Sequence, residues 1–404
     1  MGRKYKLIAQ LSTVHSKDDQ LEPERVLNRL EETVRIVPLD VLAMGWKERT
    51  ELFEMLTGAS RVCREVFLWY PLLSDYPGFD LSHLVVNYRS ERSRGWGGYG
   101  GTGIEESFKQ ACPNNLEAFR LTWGNLDRLL SHYDFDGVFL DKIRFPSMAN
   151  GLQDVLTCFC PFCREKAASV GLDLFEVQAA LEEGGRSGKG AGTAAIPPGA
   201  EWLEELLASQ PMLLQHIRFR AHSISRVVAD VAKRVQAMGK KVAVDVFSPS
   251  LAALVGQDLP FMAGLAEWVK PMIYRFGNGP ACLRSEIPAL IRELAGFLGI
   301  EVDEALKWAA AHIEELSGYS LRQIETAAPL SLIGAEARKA VRLVSGTSLC
   351  MGLETVSMPG VMEVSPQHVE EAIEVGIGAG VGGFVLSWDL LHTPLQNIQP
   401  LRSL

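Results

Sequence analysis

No stretch of about 18 or more apolar residues, the length needed to span a bilayer, occurs in the 404-residue chain. A membrane-crossing helix is therefore not expected. Basic residues are in deficit: 40 Lys+Arg stand against 49 Asp+Glu, a formal charge of −9. The totals lack the cationic excess of a nucleic-acid-binding face, so nucleic acid is not an expected partner. The first ten residues carry positive charge, but their apolar run is short and broken by Gln10. They lack the apolar region and small-residue cleavage site of a signal peptide. The expected compartment is the cytoplasm, where thiols stay reduced. The seven cysteines are odd in number, which argues against a disulfide framework and towards metal.

Several catalytic signatures are also missing. There is no Walker lysine motif, no G-x-S-x-G elbow and no H-E-x-x-H. Two runs match G-x-G-x-x-G in form only. Gly98–Gly103 follows a charged, turn-like stretch, and Gly378–Gly383 leads into a strand instead of a helix. Neither has the strand-to-helix context that a dinucleotide site requires; the first is read as a glycine-rich lid. The histidines are scattered, and His15 and His83 have no partner visible in the sequence.

What is present is alternation. Short runs, apolar throughout, read as strands at Lys6–Leu11, Leu39–Met44, Val66–Tyr70, Leu84–Asn87, Gly137–Asp141, Val242–Phe247, Trp268–Tyr274, Leu349–Leu353 and Gly383–Trp388. Between them lie helical stripes, among them Glu24–Val37, Thr50–Cys63, Leu116–His132, Pro211–Met238 and Pro366–Val375. Strands buried on both faces and alternating with helices imply a parallel sheet covered on both sides. Roughly eight such units favour a (β/α)8 TIM barrel, an α/β fold; an open doubly wound sheet is the alternative. Residues 1–404 are read as a single barrel domain. Residues 147–200 form a Cys-rich insertion ending in the flexible Gly/Pro-rich loop Gly184–Ala200. Residues 281–346, almost wholly helical, form an insertion after the sixth strand.

Three of the cysteines crowd into Cys158-Phe159-Cys160-Pro161-Phe162-Cys163, and a fourth candidate, Cys112, lies upstream in Ala111-Cys112-Pro113-Asn114-Asn115. Four thiolates make a closed, structural zinc site. The C-x-C-x-x-C turn after strand four can present three sulfurs to one ion, with Cys112 stapling a second loop to it. An iron–sulfur cluster would use the same thiolates. Cys63, Cys282 and Cys350 sit in apolar or helical contexts and read as core.

In a (β/α)8 barrel the chemistry sits at the carboxyl ends of the strands. Asp141, Asp245, Glu354 and Asp389 all follow apolar runs there. Desolvation and like charge raise a carboxyl pKa, so one group can donate a proton while another stays ionised. That division of labour is what glycosidic bond hydrolysis needs. Asp141 is the expected nucleophile or electrostatic stabiliser. Glu354, on the strand facing strand four, is the expected general acid/base, with Asp245 the alternative. Asp389 could instead cap the turn that follows it. Trp46, Trp69, Tyr70, Tyr274 and Trp388 fall at the same end, where aromatic faces stack on sugar rings or pack a core. Arg144 could pair with Asp141 or bind a substrate oxyanion.

The run Asp136-Gly137-Val138-Phe139-Leu140-Asp141-Lys142-Ile143-Arg144-Phe145-Pro146 resembles the DGxxxDxIRFP segment of glycoside-hydrolase-like (β/α)8 barrels. In that family it forms strand four, with its last Asp in the active site. The Cys-Pro-Asn-Asn and C-x-C-x-x-C segments look like companions of it, and Lys270-Pro271-Met272-Ile273-Tyr274 resembles the sixth-strand P-M-x-Y. The one-plus-three cysteine pattern is also similar to the zinc cluster of barrel-type β-galactosidases. Their Asn-Glu acid/base pair has no counterpart here, since strand four ends in Asp141. The resemblance implies a barrel, zinc and glycosidase ancestry; it does not itself imply a substrate, and the carbohydrate expected here rests on the carboxylates and aromatic faces at the strand ends. The competing classes are a sugar-binding barrel that has lost catalysis and a metal-dependent hydrolase or lyase of a non-sugar substrate. A homo-oligomer is compatible with all three.

Overall fold

Eight of the nine apolar runs become the strands of one closed parallel barrel. A computed structural model describes residues 4–15, 20–58, 62–98, 106–182 and 196–404. Residues 99–103 of the glycine-rich run and 184–195 of the expected loop lie outside these described residues. The strands are β1 (Lys6–Leu11), β2 (Val41–Gly45), β3 (Glu65–Pro71), β4 (Gly137–Asp141), β5 (Lys241–Phe247), β6 (Trp268–Met272), β7 (Ser348–Glu354) and β8 (Gly383–Ser387). Each pairs in parallel with the next, and β8 closes on β1 through Lys6 opposite Gly383. The fold is the (β/α)8 barrel. Among the described residues, no helix is long and apolar enough to cross a membrane.

Leu84–Asn87 is the exception among the expected strands. It makes only isolated bridges, Leu84 to Ala111, Val86 to Arg92 and Asn87 to Thr157. It lies in the long connection from β3 to β4, and the closed barrel leaves no edge for a ninth strand to join. The helix expected over Thr50–Cys63 ends early, at Thr57, before Gly58.

Strand side chains alternate between the two faces of a sheet, so each strand contributes two sets. One set, including Leu7, Leu42, Leu68, Tyr70, Val138, Leu140 and Val244, packs under the surrounding helices. The other set fills the barrel: Ile8, Val41, Ala43, Phe67, Trp69, Phe139, Ala243, Trp268, Cys350 and Val385. Phe139 stacks on Trp268 with ring centroids 4.8 Å apart, and Phe67 adds a tilted contact at 5.8 Å. These aromatics make a solid floor. Glycine is required beside it, because a Cβ on Gly137 would come within 2.5 Å of the Lys241 carbonyl oxygen and 2.7 Å of the Phe67 ring. The neighbouring Asp136 carboxylate accepts from the Val66 backbone N–H at 2.7 Å, tying the start of β4 to β3.

The helices Leu283–Leu298, Val302–His312, Leu321–Thr326 and Leu330–Leu343 stand between β6 and β7. The helix Leu116–His132 starts on Asn115, whose side chain accepts from the N–H groups of Glu117 and Ala118 at 3.0 and 3.2 Å. Such a cap satisfies donors that the first turn leaves open.

Candidate active site and cysteine centre

Two residues beyond four of the inward floor residues, the same alternation delivers a polar side chain to the carboxyl end. Phe139 is followed by Asp141, Ala243 by Asp245, Trp268 by Lys270, and Ile8 by Gln10. All four polar residues line one cavity with His15, Trp69, Glu106, Lys142, Arg144, Tyr274 and Trp388. Room for them depends on β7. A Cβ on Gly352 would meet the Tyr274 ring at 2.9 Å and the Lys270 side chain at 3.1 Å.

The two aspartates are held differently. One oxygen of Asp141 accepts from the Trp69 indole N–H at 2.9 Å, and the other from the Lys142 backbone N–H. Lys142 reaches that position with a left-handed backbone, φ 51°, a conformation that is uncommon outside glycine and clusters at functional sites. Asp245 meets Lys270 Nζ at 2.8 Å through Oδ2, while its Oδ1 is buried without a hydrogen-bond partner among the described residues. Burial pushes the Asp245 carboxyl up to about 7; Lys270 opposes the rise and the Asp141 charge adds to it. The cavity thus holds one carboxylate that accepts two donors and one carboxyl poised to carry a proton near neutrality.

A second charged group forms the cavity wall. Lys142 Nζ bonds Asp75 and, at 3.1 Å, Glu106, whose other oxygen meets His15 Nε2. Burial raises both acids, but Lys142 outweighs it, assisted at Asp75 by Ser74 and Ser107 and at Glu106 by His15. Asp75 is held at about 2 and Glu106 below the usual range. The His15 ring packs edge-on to Trp388 at 4.8 Å, and Trp46 and Trp69 meet at 4.8 Å beside it. Arg144 also lines the cavity; its Nη1 donates to the Phe145 carbonyl at 3.1 Å and its guanidinium lies 4.9 Å from the Phe247 ring centre.

Three expected site residues are placed elsewhere. Tyr70 follows Trp69 on β3, and consecutive strand residues face opposite ways. Its hydroxyl donates to the Thr122 carbonyl at 2.9 Å, under the helix Leu116–His132. Asp389 is fully buried in a turn: Oδ1 accepts from the N–H groups of Ser12 and Leu391 at 3.1 and 3.3 Å, and Oδ2 pairs with His392 at 2.6 Å. Glu354 emerges at the end of β7, but the chain after β6 closes over it. Arg275 N–H donates to it at 2.7 Å, Phe276 N–H at 2.9 Å and Gly277 N–H at 2.5 Å. Burial raises its pKa and the three N–H groups work the other way. It does not line the cavity.

Sequence reasoning passed over Gln10, Lys270, Lys142, Glu106 and Asp75. Gln10 and Lys270 carried a signal: each sits two residues beyond an inward floor residue. Glu106 and Asp75 lie in the β3–β4 connection, where no periodicity marks direction.

The four cysteines also converge. The sulfurs of Cys112, Cys158, Cys160 and Cys163 are buried and lie within 4.8 Å of one another. Cys112 Sγ is 3.4 Å from Cys160 Sγ and 3.4 Å from Cys163 Sγ, well beyond the roughly 2.05 Å of a disulfide. A tetrahedral ion with sulfur bonds near 2.3 Å has S–S edges of about 3.8 Å, so the donor set fits a four-thiolate centre. Amides surround the sulfurs. Val86 N–H donates to Cys158 at 3.3 Å, Asn114 N–H to Cys112 at 3.4 Å, and Asn114 Nδ2 to Cys163 at 3.3 Å. The expected strand Leu84–Asn87 and the preceding His83 serve as the strap: Cys112 N–H donates to the His83 carbonyl at 2.8 Å and Phe159 N–H to the Val86 carbonyl at 2.8 Å.

No family model matches the chain. No curated protein matches it in sequence. Its fold does match solved structures. The PgaB (BpsB) glycoside hydrolase domain from Bordetella bronchiseptica aligns at TM-score 0.54 and 13% identity, covering 99% of this chain and 98% of that one. The catalytic domain of β-amylase from Paenibacillus polymyxa aligns at TM-score 0.52 and 8% identity over 99% and 97%. The β-galactosidase from the psychrophilic Marinomonas ef1 aligns at TM-score 0.54 and 10% identity over 98% of this chain but only 58% of that one. At such identities the likeness is one of fold.

Proposed function

We propose that the chain is a glycoside hydrolase whose working pair is Asp141 and Asp245. The observation that carries this reading is the pairing of an acceptor carboxylate and a protonatable carboxyl in one aromatic-walled cavity. Glycosidic bond cleavage requires that pair: an acid to protonate the leaving oxygen and a carboxylate to act on the oxocarbenium-like transition state. Asp245, with its pKa near 7 and its free Oδ1, serves as the acid. Asp141 serves as nucleophile or electrostatic stabiliser, oriented by Trp69 and Lys142. Asp245 thus takes the role expected of Glu354, whose oxygens are committed to backbone N–H groups. Trp69, Tyr274 and Trp388 offer faces to a sugar, and Arg144 a donor to its oxygens. That the neighbouring barrels are described as a glycoside hydrolase domain, an amylase and a galactosidase supports a carbohydrate substrate.

The cysteine centre is read as a structural zinc site. Four sulfur ligands leave no open position for a water, so zinc would fix the long connections that carry Glu106 and Asp75 without entering the reaction. Seven cysteines, all free, suit a reducing compartment such as the cytoplasm.

The test is turnover of a panel of aryl glycosides by the wild-type protein and Asp141→Asn. The expected result is hydrolysis that falls on the order of a hundredfold or more in the variant, with KM little changed. Full activity in Asp141→Asn would overturn the assignment. Saturable sugar binding without turnover in the wild type would make the barrel a binding protein.

A further inference from the structure

The long helix Pro211–Ala237 carries His216, Arg220 and Ser223 at helical spacing, and the first and last of them touch residues beside the cysteine sulfurs. His216 packs against Phe159, between two of the cysteines, with ring centroids 5.0 Å apart. Ser223 accepts at 3.0 Å from the Asn114 amide that also donates to Cys163. Between them stands Arg220, which is wholly buried. Its Nε, Nη1 and Nη2 have no hydrogen-bond partner among the described residues. No carboxylate pairs with it among the described residues. Its guanidinium carbon lies over the face of Phe145, 4.7 Å from the ring centre.

A guanidinium carries five donors and stays charged in proteins. Burying one with none of them satisfied is costly unless a negative charge lies nearby. His216 cannot supply it, since an imidazole side chain is either neutral or cationic. Burial lowers the Arg220 pKa to about 9, and the charges that work against that fall are those of Cys158 and Cys163. Four neutral thiols would offer nothing. A divalent ion held by four thiolates is a dianion, and it would offset a buried cation without touching it.

We propose that Arg220 is the built-in counter-cation of the cysteine centre, placed one helical turn from His216, which packs on Phe159, and from Ser223, which bonds Asn114, so that four thiolates and an ion can exist in a dry interior. This rests on the structural-zinc reading and deepens it. The absent hydrogen bonds are then explained, since Arg220 acts through its field on the whole centre and not as a donor to one sulfur. It also accounts for a buried Arg that no acid pairs with among the described residues. Arg220 is a positioning and charge-balancing residue; it has no part in the barrel cavity.

The experiment uses the zinc-loaded full chain, challenged with a chromogenic chelator, in wild type, Arg220→Met and Arg220→Lys. Met keeps the bulk against Phe145 and removes the charge; Lys keeps the charge. The expected result is a loss on the order of 10–100-fold in apparent zinc affinity for Arg220→Met, the range for losing an outer-shell partner, with Arg220→Lys close to wild type. Thermal unfolding supplies a second readout. With zinc bound, Arg220→Met should melt below wild type; after zinc removal it should melt at or above it, because the uncountered cation is gone. A purely packing role would lower both. Should Arg220→Met fail to fold, Arg220→Gln replaces it in the same comparison. Equal zinc retention in the charged and uncharged variants would overturn the counter-cation role. A wild-type protein that takes up no metal would overturn the zinc reading itself, and the two failures are told apart by the wild-type measurement alone.

Discussion

Asp245 and Lys270 sit directly opposite each other on β5 and β6, and their side chains meet at 2.8 Å with almost no exposure to solvent. The ammonium also donates to Gln10 at 2.9 Å and lies 5.4 Å from the Tyr274 ring centre. This pair decides the proton state of the cavity. Burial alone would push Asp245 still higher, and Lys270 restrains it.

A pH profile follows from that balance. If Asp245 is the acid, kcat/KM should fall as pH rises through about 7, with one ionisation on the alkaline limb. Lys270→Met removes the restraint, so the limb should move to higher pH. Initial rates across pH 5–9 on a fixed glycoside would show it; an alkaline limb that stays put in Lys270→Met would detach Asp245 from the proton transfer.

Stability should carry the same signature with a definite sign. A carboxyl raised in the folded state takes up protons on folding, so its stabilising contribution is complete below its unfolded value, about 3.9, and is lost as pH rises towards 7. Between those limits the wild type should lose more of its thermal midpoint than Asp245→Asn does. Parallel curves for the two proteins would contradict the raised pKa.

Glu354→Gln separates the acid expected from the sequence from the one proposed here. Both glutamate oxygens accept backbone N–H groups. A carboxamide must turn one N–H donor against them, at a cost of about 1–3 kcal/mol. Urea unfolding should register that loss while kcat changes little. A collapse of kcat at unchanged stability would return Glu354 to the proton-donor role.

The cysteine centre predicts a structural phenotype. Elemental analysis of the wild type should find about one zinc per chain. Cys160→Ser should lower the metal content and the thermal midpoint, while molecules that still fold retain turnover. Loss of turnover in proportion to metal, at unchanged midpoint, would mean that the ion takes part in the reaction.

The floor of the barrel predicts the largest single loss of stability. Trp268 is fully buried and stacks on Phe139, so Trp268→Ala should cost about 3–5 kcal/mol by the cavity it leaves. A loss below 1 kcal/mol in denaturant unfolding would show that the floor repacks.

Much of this was readable along the chain. The eight apolar runs and the helical stripes between them require a covered parallel sheet, because neither element can leave its apolar face in water. Cys158-Phe159-Cys160-Pro161-Phe162-Cys163 fixes three sulfurs in one turn by local geometry alone. Asp141 and Asp245 were legible because strand alternation has a period of two, which sets the direction of a side chain before any tertiary contact forms. The same counting would have found Gln10 and Lys270 and turned Tyr70 away from the cavity. What the sequence could not decide was the fate of side chains past the last strand hydrogen bond. Glu354 has the same inward phase as Asp245, yet the segment Arg275–Gly277 folds over it and takes its oxygens, while one Asp245 oxygen has no hydrogen-bond partner among the described residues. Asp389 is drawn into its own turn by Ser12, Leu391 and His392. Glu106 reaches the cavity from the β3–β4 connection, and Lys142 holds it there together with Asp75. Periodicity governs residues inside a regular element; beyond its end, the donors and charges that other segments bring close decide where a side chain goes, and only the folded chain brings them together.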